Sequence, residues 1–249
     1  MSGQPTDDPA CFYTGLVADL YASLRAVDPE PATYERFIRR YGEPALELAC
    51  GDGDPLLELL ALGLDVHGLD ASADMLARCR ARAAAMGLEP TLFLEKMQTM
   101  RLPFHYRSIF LAGGSFNLLP DDATGSQTLQ AIAAHLGPGG AAMIHLFVPS
   151  PTAPVPPREE RLTDGTVLRC STVHVRRDAE RRLQTVRLRY ERERPGKSPE
   201  SLERNWLLHW HTPEGFEQLS AAAGLKVIRT WRFDASPDAW TVVLQRSAT

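Results

Sequence analysis

No apolar run in this chain of 249 residues approaches the roughly 20 residues needed to cross a bilayer, and residues 1–9 are polar with no signal-peptide core. A membrane partner and a secretory route are both disfavoured, and the protein is expected in the cytoplasm. Cysteine is scarce and unpatterned. Cys11, Cys50, Cys79 and Cys170 form no Cys-x-x-Cys pair and no spacing with histidine that suggests zinc, so they read as reduced thiols and no metal is expected. A dominant charge is missing as well. The formal net charge is −4, which provides no basic field for nucleic acid. The positive side chains are nearly all arginine, a sign of genome composition, and neither an internal repeat nor a low-complexity tract is present beyond the first few residues. What remains is enough chain for one α/β domain carrying an insertion.

The most informative stretch is Ala45-Leu46-Glu47-Leu48-Ala49-Cys50-Gly51-Asp52-Gly53-Asp54-Pro55, followed by an apolar segment that ends in Gly68-Leu69-Asp70. Leu46 and Leu48 read as a buried parallel strand, and Pro55 fits the first turn of a helix, where its missing N–H costs nothing. Gly51 and Gly53 can take positive φ and let a ligand lie against the main chain. Val66 to Leu69 forms the next strand and brings the Asp70 carboxylate to its C-terminal end, where ligands of open parallel sheets bind. An acid there can accept hydrogen bonds from both hydroxyls of a ribose. A dinucleotide site needs a third glycine three residues after Gly53, and Leu56 stands there instead. Asp52 and Asp54 at the turn would also repel a pyrophosphate while tolerating a sulfonium. The balance favours S-adenosylmethionine over a dinucleotide, with a purely structural turn as the bland alternative.

The rest of the chain alternates β and α. Apolar residues at Leu16, Val17, Leu20, Tyr21 and Leu24 predict a helix from Phe12 to Ala26, and a second helix runs from Ala32 to Tyr41. Ser72 is a credible N-cap for a helix over Ala73 to Met86, closed by Gly87. Strands are expected at Leu92 to Glu95, Ser108 to Ala112 and Ala142 to Phe147, with a helix from Gly125 to Leu136 before the last of them. This order implies an α/β, doubly wound, parallel sheet. Pro149, Pro151, Pro154, Pro156 and Pro157 then break the pattern. Thr166 to Val175 and Leu183 to Arg192 alternate in period two as an antiparallel hairpin, and Trp206 to His211 is a third extended segment. Thr212-Pro213-Glu214 opens a helix ending at Gly224, and Leu225 to Ile228 with Trp240 to Gln245 supply a last strand pair. Arg187 and Arg189 share a face opposite Val186, Leu188 and Tyr190, with glutamates interleaved, so the arginine-rich hairpin reads as a solvated face.

Five segments in order resemble class I S-adenosylmethionine-dependent methyltransferases, in particular bacterial small-molecule enzymes. They are Leu46 to Gly53, Val66 to Asp70, Ser72-Ala73-Asp74-Met75-Leu76, Ser115-Phe116-Asn117-Leu118-Leu119 and His135-Leu136-Gly137-Pro138-Gly139-Gly140. The resemblance implies a mostly parallel, seven-stranded Rossmann-like sheet with the antiparallel insertion as a lid. Its division is 1–150 for the helical cap and cofactor core, 151–211 for the lid, and 212–249 for the helix and strand pair that complete the sheet. Cofactor contacts are implied at Glu47, Ala49, Gly51, Gly53, Asp70, Ala71, Met75, Met97, Gln98 and Gly113, with Tyr13 and Tyr21 closing over them. Substrate contacts are implied at Phe116, Asn117 and Phe147. The expected partner is a small molecule, and the chain a monomer or homodimer. One departure matters: Lys96 stands where relatives commonly carry an acid for the adenine amino group, and lysine has only donors. The Gln98 carbonyl or the main chain near Met97 is expected to substitute. Arg107 similarly replaces an acid before the fourth strand.

Methyl transfer from a sulfonium is an in-line displacement, and positioning can supply roughly 7–11 kcal/mol against about 10²–10⁴ in rate from a general base. A site without an obvious dyad is therefore competent. His209 and His211, on one face of a strand by period two, are candidates for the base, as is His145 beside Phe147. Each could equally be a core or solvated histidine. Trp206, Trp210 and Trp231 could build an aromatic pocket for an apolar or cationic acceptor, or simply pack the core.

Overall fold

The computed structural model describes residues 12–24, 30–151, 156–233 and 236–247. Cys11, Ala26, Pro154 and the polar residues 1–9 lie outside them. Eleven strands and six α-helices are built from the described residues, and the strands form two separate sheets. The larger has seven, in the order β10-β11-β5-β4-β1-β2-β3. Its parallel part consists of β1 (Ala45–Leu48), β2 (Val66–Asp70), β3 (Leu92–Leu94), β4 (Tyr106–Leu111) and β5 (Leu136–Phe147). β10 (Leu225–Phe233) and β11 (Ser236–Arg246) close the other edge as an antiparallel pair against β5.

Strand β1 sits between β2 and β4, and Leu48 lies level with both Leu69 and Leu111. The chain leaves β1 toward β2 and β3 and later returns to β1's other side as β4, so the strand order reverses here. At such a switch point the loops after neighbouring strands diverge and leave a crevice. Period two distributes the side chains to the two faces. Leu46, Leu48, Ile109, Leu111, Ile144 and Leu146 join one core. Ala45, Phe110 and Met143 join the other, beneath α2 (Pro31–Tyr41), α3 (Leu56–Ala61) and α4 (Ala73–Ala85).

The smaller sheet runs β6-β7-β8-β9, formed by Arg158–Arg161, Val167–Asp178, Leu183–Glu193 and Glu200–His209. Its inner face has its own core. Leu168, Cys170, Val186, Leu188 and Tyr190 pack with Phe12 and with Val17, Leu20 and Leu24 of α1 (Leu16–Leu24). Each fully buried leucine there is worth about 1.5–3 kcal/mol. The first helix is thus joined to the lid. Arginines on the sheet's outer face find glutamates, as in Arg189–Glu203 at 2.7 Å and Arg169 with Glu159 at 2.8 Å and Glu193 at 2.7 Å. The solvated-face reading holds.

Several boundaries differ from the sequence reading. α1 starts only at Leu16, because residues 12–15 form a turn through Gly15 at φ +53°. α5 (Asp122–His135) begins three residues before Gly125, since the Asp121 side chain caps it by accepting the Thr124 N–H at 2.8 Å. β5 begins directly at Leu136, with Gly137–Gly140 bulging between the pairs Tyr106↔Leu136 and Ser108↔Ala141. β6 follows directly after the proline run, where no strand is read from the sequence, and β9 already starts at Glu200, since Glu200, Glu203 and Arg204 hide its alternation in the sequence. It ends at His209, so Trp210 and His211 belong to the connection into α6 (Pro213–Ala222). Pro55 precedes α3 instead of lying within it.

Candidate active site

The glycine turn is fastened to the tip of β2. The Gly51 N–H donates to Asp70 Oδ2 at 2.8 Å, and the Ser72 N–H donates to Oδ1 at 2.7 Å. The Ala71 N–H faces the carboxylate as well, and an ionised carboxylate has about four acceptor positions, so acceptor capacity remains for a ligand. Burial holds the Asp70 pKa above the usual aspartate value, partly offset by these backbone donors. Ala49 takes φ +56° and Gly51 the same value, and a Cβ on Gly51 would lie 3.3 Å from Met75 Cε. Gly53 has a different reason to be glycine. A Cβ there would meet Cys79 Sγ and Leu57 Cγ at 2.8 Å, so it permits helix packing and lines neither cavity.

Ser72 ties the entrance together. Its hydroxyl caps α4 by accepting the Met75 N–H at 3.2 Å and donates to the Tyr13 carbonyl at 2.6 Å. The Gly15 N–H donates to Asp74 at 2.7 Å. The residues before α1 are thereby clamped onto the start of α4. Tyr13 and Tyr21 then meet edge-on at 5.4 Å between centroids across the mouth.

Two cavities open from this point. One, about 300 Å³, is lined by Asp70, Ala71, Met75, Lys96, Met97 and Gln98 on its core side. The other, about 490 Å³, lies under the small sheet and reaches His145, Phe147, Arg158, Leu188, Tyr190 and Trp206. Tyr13, Tyr21, Ala49, Gly51, Ser115 and Leu118 line both. The cavities therefore share a wall, and ligands in the two can meet there. Gly113, at φ +67°, lines the larger one.

The acids around the turn set its charge. Glu47 is fully buried beneath the loop and lines neither cavity. Its oxygens make no hydrogen bond of normal geometry, with the Leu56 N–H the donor facing them. Burial, together with Asp54, Asp70 and Asp52, pushes its pKa well up. Asp52 does not face the ligand side as the sequence reading had it. It is buried against Arg82, whose Nη1 is 3.1 Å from its carboxylate. The remaining acids form a pocket electrostatically suited to a cationic group and hostile to a pyrophosphate. Cys50 touches the larger cavity, but burial and nearby Glu47 raise its thiol pKa well above normal, so it stays protonated and unreactive.

On the acceptor side the structure sorts the predicted residues sharply. His145 lines the larger cavity and hydrogen-bonds Thr241 Oγ1 through Nδ1 at 3.1 Å, and burial lowers its pKa so that it is neutral at pH 7. Phe147 and Trp206 line the same space. Six others do not reach either cavity. Phe116 is fully buried against Phe216 and His211. Asn117 is a fastener: its amide donates to the carbonyls of Phe147 at 2.8 Å and His209 at 2.9 Å, and its oxygen accepts the Phe147 N–H at 3.2 Å. Trp210 packs under the Arg177 guanidinium, 3.9 Å from the ring centroid. Trp231 lies on the sheet's other face, so the three tryptophans form no common pocket. His209 and His211 are buried beside Asp122, away from both cavities. Sequence reasoning missed Leu118, Arg158 and Tyr190. Leu118 had a signal, since the short 3-10 turn Ser115–Leu118 rotates it toward the ligand and Phe116 inward. Arg158 follows the proline run and had none.

The comparisons agree with this geometry. Residues 45–140 match the family model described as a methyltransferase domain. A dTDP-3-amino-3,6-dideoxy-alpha-D-glucopyranose N,N-dimethyltransferase from Streptomyces fradiae is 29% identical over 147 residues, which span 56% of this chain and 56% of that protein. A sugar N-methyltransferase from Streptoalloteichus superposes with a TM-score of 0.77 at 19% identity, covering 100% of this chain and 96% of the other. An amino pentose methyltransferase from Micromonospora echinaspora, solved with S-adenosylmethionine bound, gives a TM-score of 0.70 at 21% identity over 94% of this chain and 98% of that one. Residues 45–140 are thus similar to the methyltransferase-domain family, and the chain as a whole shares the fold of these solved methyltransferases.

Proposed function

We propose that the protein transfers a methyl group from S-adenosylmethionine to a nitrogen of a small metabolite, with an amino sugar of a natural-product pathway as the leading acceptor class. The observation that carries this reading is the shared wall of the two cavities at Gly51, Tyr13 and Leu118, which would bring a donor and an acceptor together. Bound S-adenosylmethionine would supply a methyl group already activated on a sulfonium.

The chain's own residues would do the rest. Asp70 offers its remaining acceptor capacity to ribose hydroxyls, Met75 and Met97 supply apolar surface and Gln98 a carbonyl for the base, and Asp54 and Asp70 favour the cationic end. Tyr13, Tyr21 and the lid exclude water and hold the acceptor, which is where most of the rate is to be gained. His145 is kept neutral by burial and so can take a proton from an ammonium acceptor. The names of the Streptomyces fradiae relative and of the two sugar-methylating structures favour nitrogen over oxygen as the acceptor. The free, buried Cys50, Cys79 and Cys170 support the expected cytoplasmic setting.

The test is product mass after incubation with S-adenosylmethionine and a panel of amino sugars and simple amines. A gain of one methylene unit per turnover, with S-adenosylhomocysteine released, is the expected outcome. An isomeric product would assign the fold to other chemistry, and cofactor binding without turnover on any acceptor would leave a methyltransferase-like partner protein.

A further inference from the structure

We propose that Asp122, His209 and His211 form a site for one divalent transition-metal ion of the zinc type, which clips the base of the lid to the start of α5. The three side chains each present one ligand atom, and these atoms all lie within 4.8 Å of one another. His209 Nε2 is 3.7 Å and His211 Nδ1 is 3.5 Å from Asp122 Oδ1. Ligands at about 2.0–2.1 Å from a tetrahedral zinc stand roughly 3.3 Å apart, so the two Asp–His distances need close only by a few tenths of an ångström and the widest pair of the three by up to about 1.5 Å, within reach of side-chain rotation.

A second observation is independent of that spacing. Both imidazoles are buried, at 3% and 1% exposure, yet His211 Nδ1, the nitrogen turned to Asp122, lacks a hydrogen bond. Buried polar atoms are seldom left this way, and an ion is one of the standard explanations. The two rings stand edge-on at 84° with centroids 4.8 Å apart, leaving their nitrogens clear of one another. Two imidazoles and a carboxylate suit zinc and its neighbours in the transition series and are too nitrogen-rich for calcium or magnesium.

The surroundings fit as well. Arg182, in the turn between β7 and β8, bonds the other oxygen of the carboxylate, and its carbonyl accepts the Trp210 N–H at 3.0 Å. That hold on Oδ2 turns Oδ1 toward the imidazoles, the usual task of a group behind a ligand. The Asp122 side chain is 48% exposed, which gives an ion a path in and leaves room for water as a fourth ligand. His209 ends β9 and His211 follows in the connection to α6, where the chain brings the two rings side by side. Asp122 comes from a distant helix, which is why no local metal motif exists. The site lies outside both cavities, so its role is structural, and it stands whether or not the chain transfers methyl groups.

The full chain, freed of any polyhistidine tag and stripped with a chelator, should be titrated with Zn²⁺ by calorimetry and with Co²⁺ by visible absorption. One equivalent of Zn²⁺ should bind and raise the melting temperature, and Co²⁺ should give the intense bands of a four- or five-coordinate centre. His211→Gln should weaken binding on the order of 100-fold. Asp122→Asn, at a half-exposed position, should also weaken it and serves as the readout if the histidine variant does not fold. Failure of the wild-type chain to take up one equivalent would overturn the proposal. So would stoichiometric binding of unchanged affinity in Asp122→Asn or in a folded His211→Gln.

Discussion

The two sides of the ligand space are built in opposite ways. On the core side, Ala49, Gly51, Asp70, Ala71 and Met75 come from the turn after β1, the tip of β2 and the start of α4, held by backbone donors. On the lid side, Tyr13, His145, Arg158, Tyr190 and Trp206 come from five separated segments brought together only by tertiary packing. The first arrangement has little freedom, because glycine at positive φ, strand ends and a helix cap fix it locally. The second is free to vary with every strand of the small sheet. A cofactor common to many enzymes suits the first, and a substrate peculiar to one suits the second.

Substitutions can break or sharpen that contrast. Asp70→Ala should have the largest effect, removing two charge-assisted contacts worth about 1.5–3 kcal/mol each, so that affinity for S-adenosylhomocysteine falls at least about 100-fold by calorimetry. Acceptor KM at saturating cofactor should stay near wild type, and a large rise would blur the division. His145→Gln should lower kcat on the order of 100-fold with cofactor affinity intact. Its pH signature follows from burial, which lowers its pKa below 6.5. The neutral ring is present above the lowered pKa, so activity should be lost as pH falls through a value under 6.5, and Gln should remove that acidic limb. Trp206→Ala should raise acceptor KM about tenfold through lost contact area, while the S-adenosylhomocysteine Kd moves less than about twofold. Gln98→Ala should be smallest, costing one neutral hydrogen bond of about 0.5–1.5 kcal/mol in cofactor affinity. An unchanged affinity would pass the adenine to the main chain near Met97.

The same contrast explains what the sequence made legible. The order of the parallel strands, the Ser72 cap and the Asp70 carboxylate could be read because each depends on residues a few positions apart. Phe116, Asn117 and Trp210 were misplaced because their segments turn at that point. In the 3-10 turn after β4 the chain points Leu118 outward and Phe116 inward, and beyond the last residue of β9 alternation no longer applies. Glu47 and Gly53 sit in the motif itself yet act from beneath it, one as a buried acid and the other as a packing gap. Arg158 and Tyr190 carried no local mark, since their roles arise only from the fold of the small sheet against α1. The spacing of His209 and His211 is plain in the sequence, but Asp122, the group that gives it meaning, is remote in the chain.

The central claim is that the crevice at β1 and β2 binds an adenosine sulfonium through Asp70. Calorimetric titration of S-adenosylhomocysteine into the cofactor-free protein tests it most directly. The account predicts one-to-one binding in the micromolar range, competed by S-adenosylmethionine and not by a nicotinamide dinucleotide. No binding, or binding displaced by the dinucleotide, would contradict it.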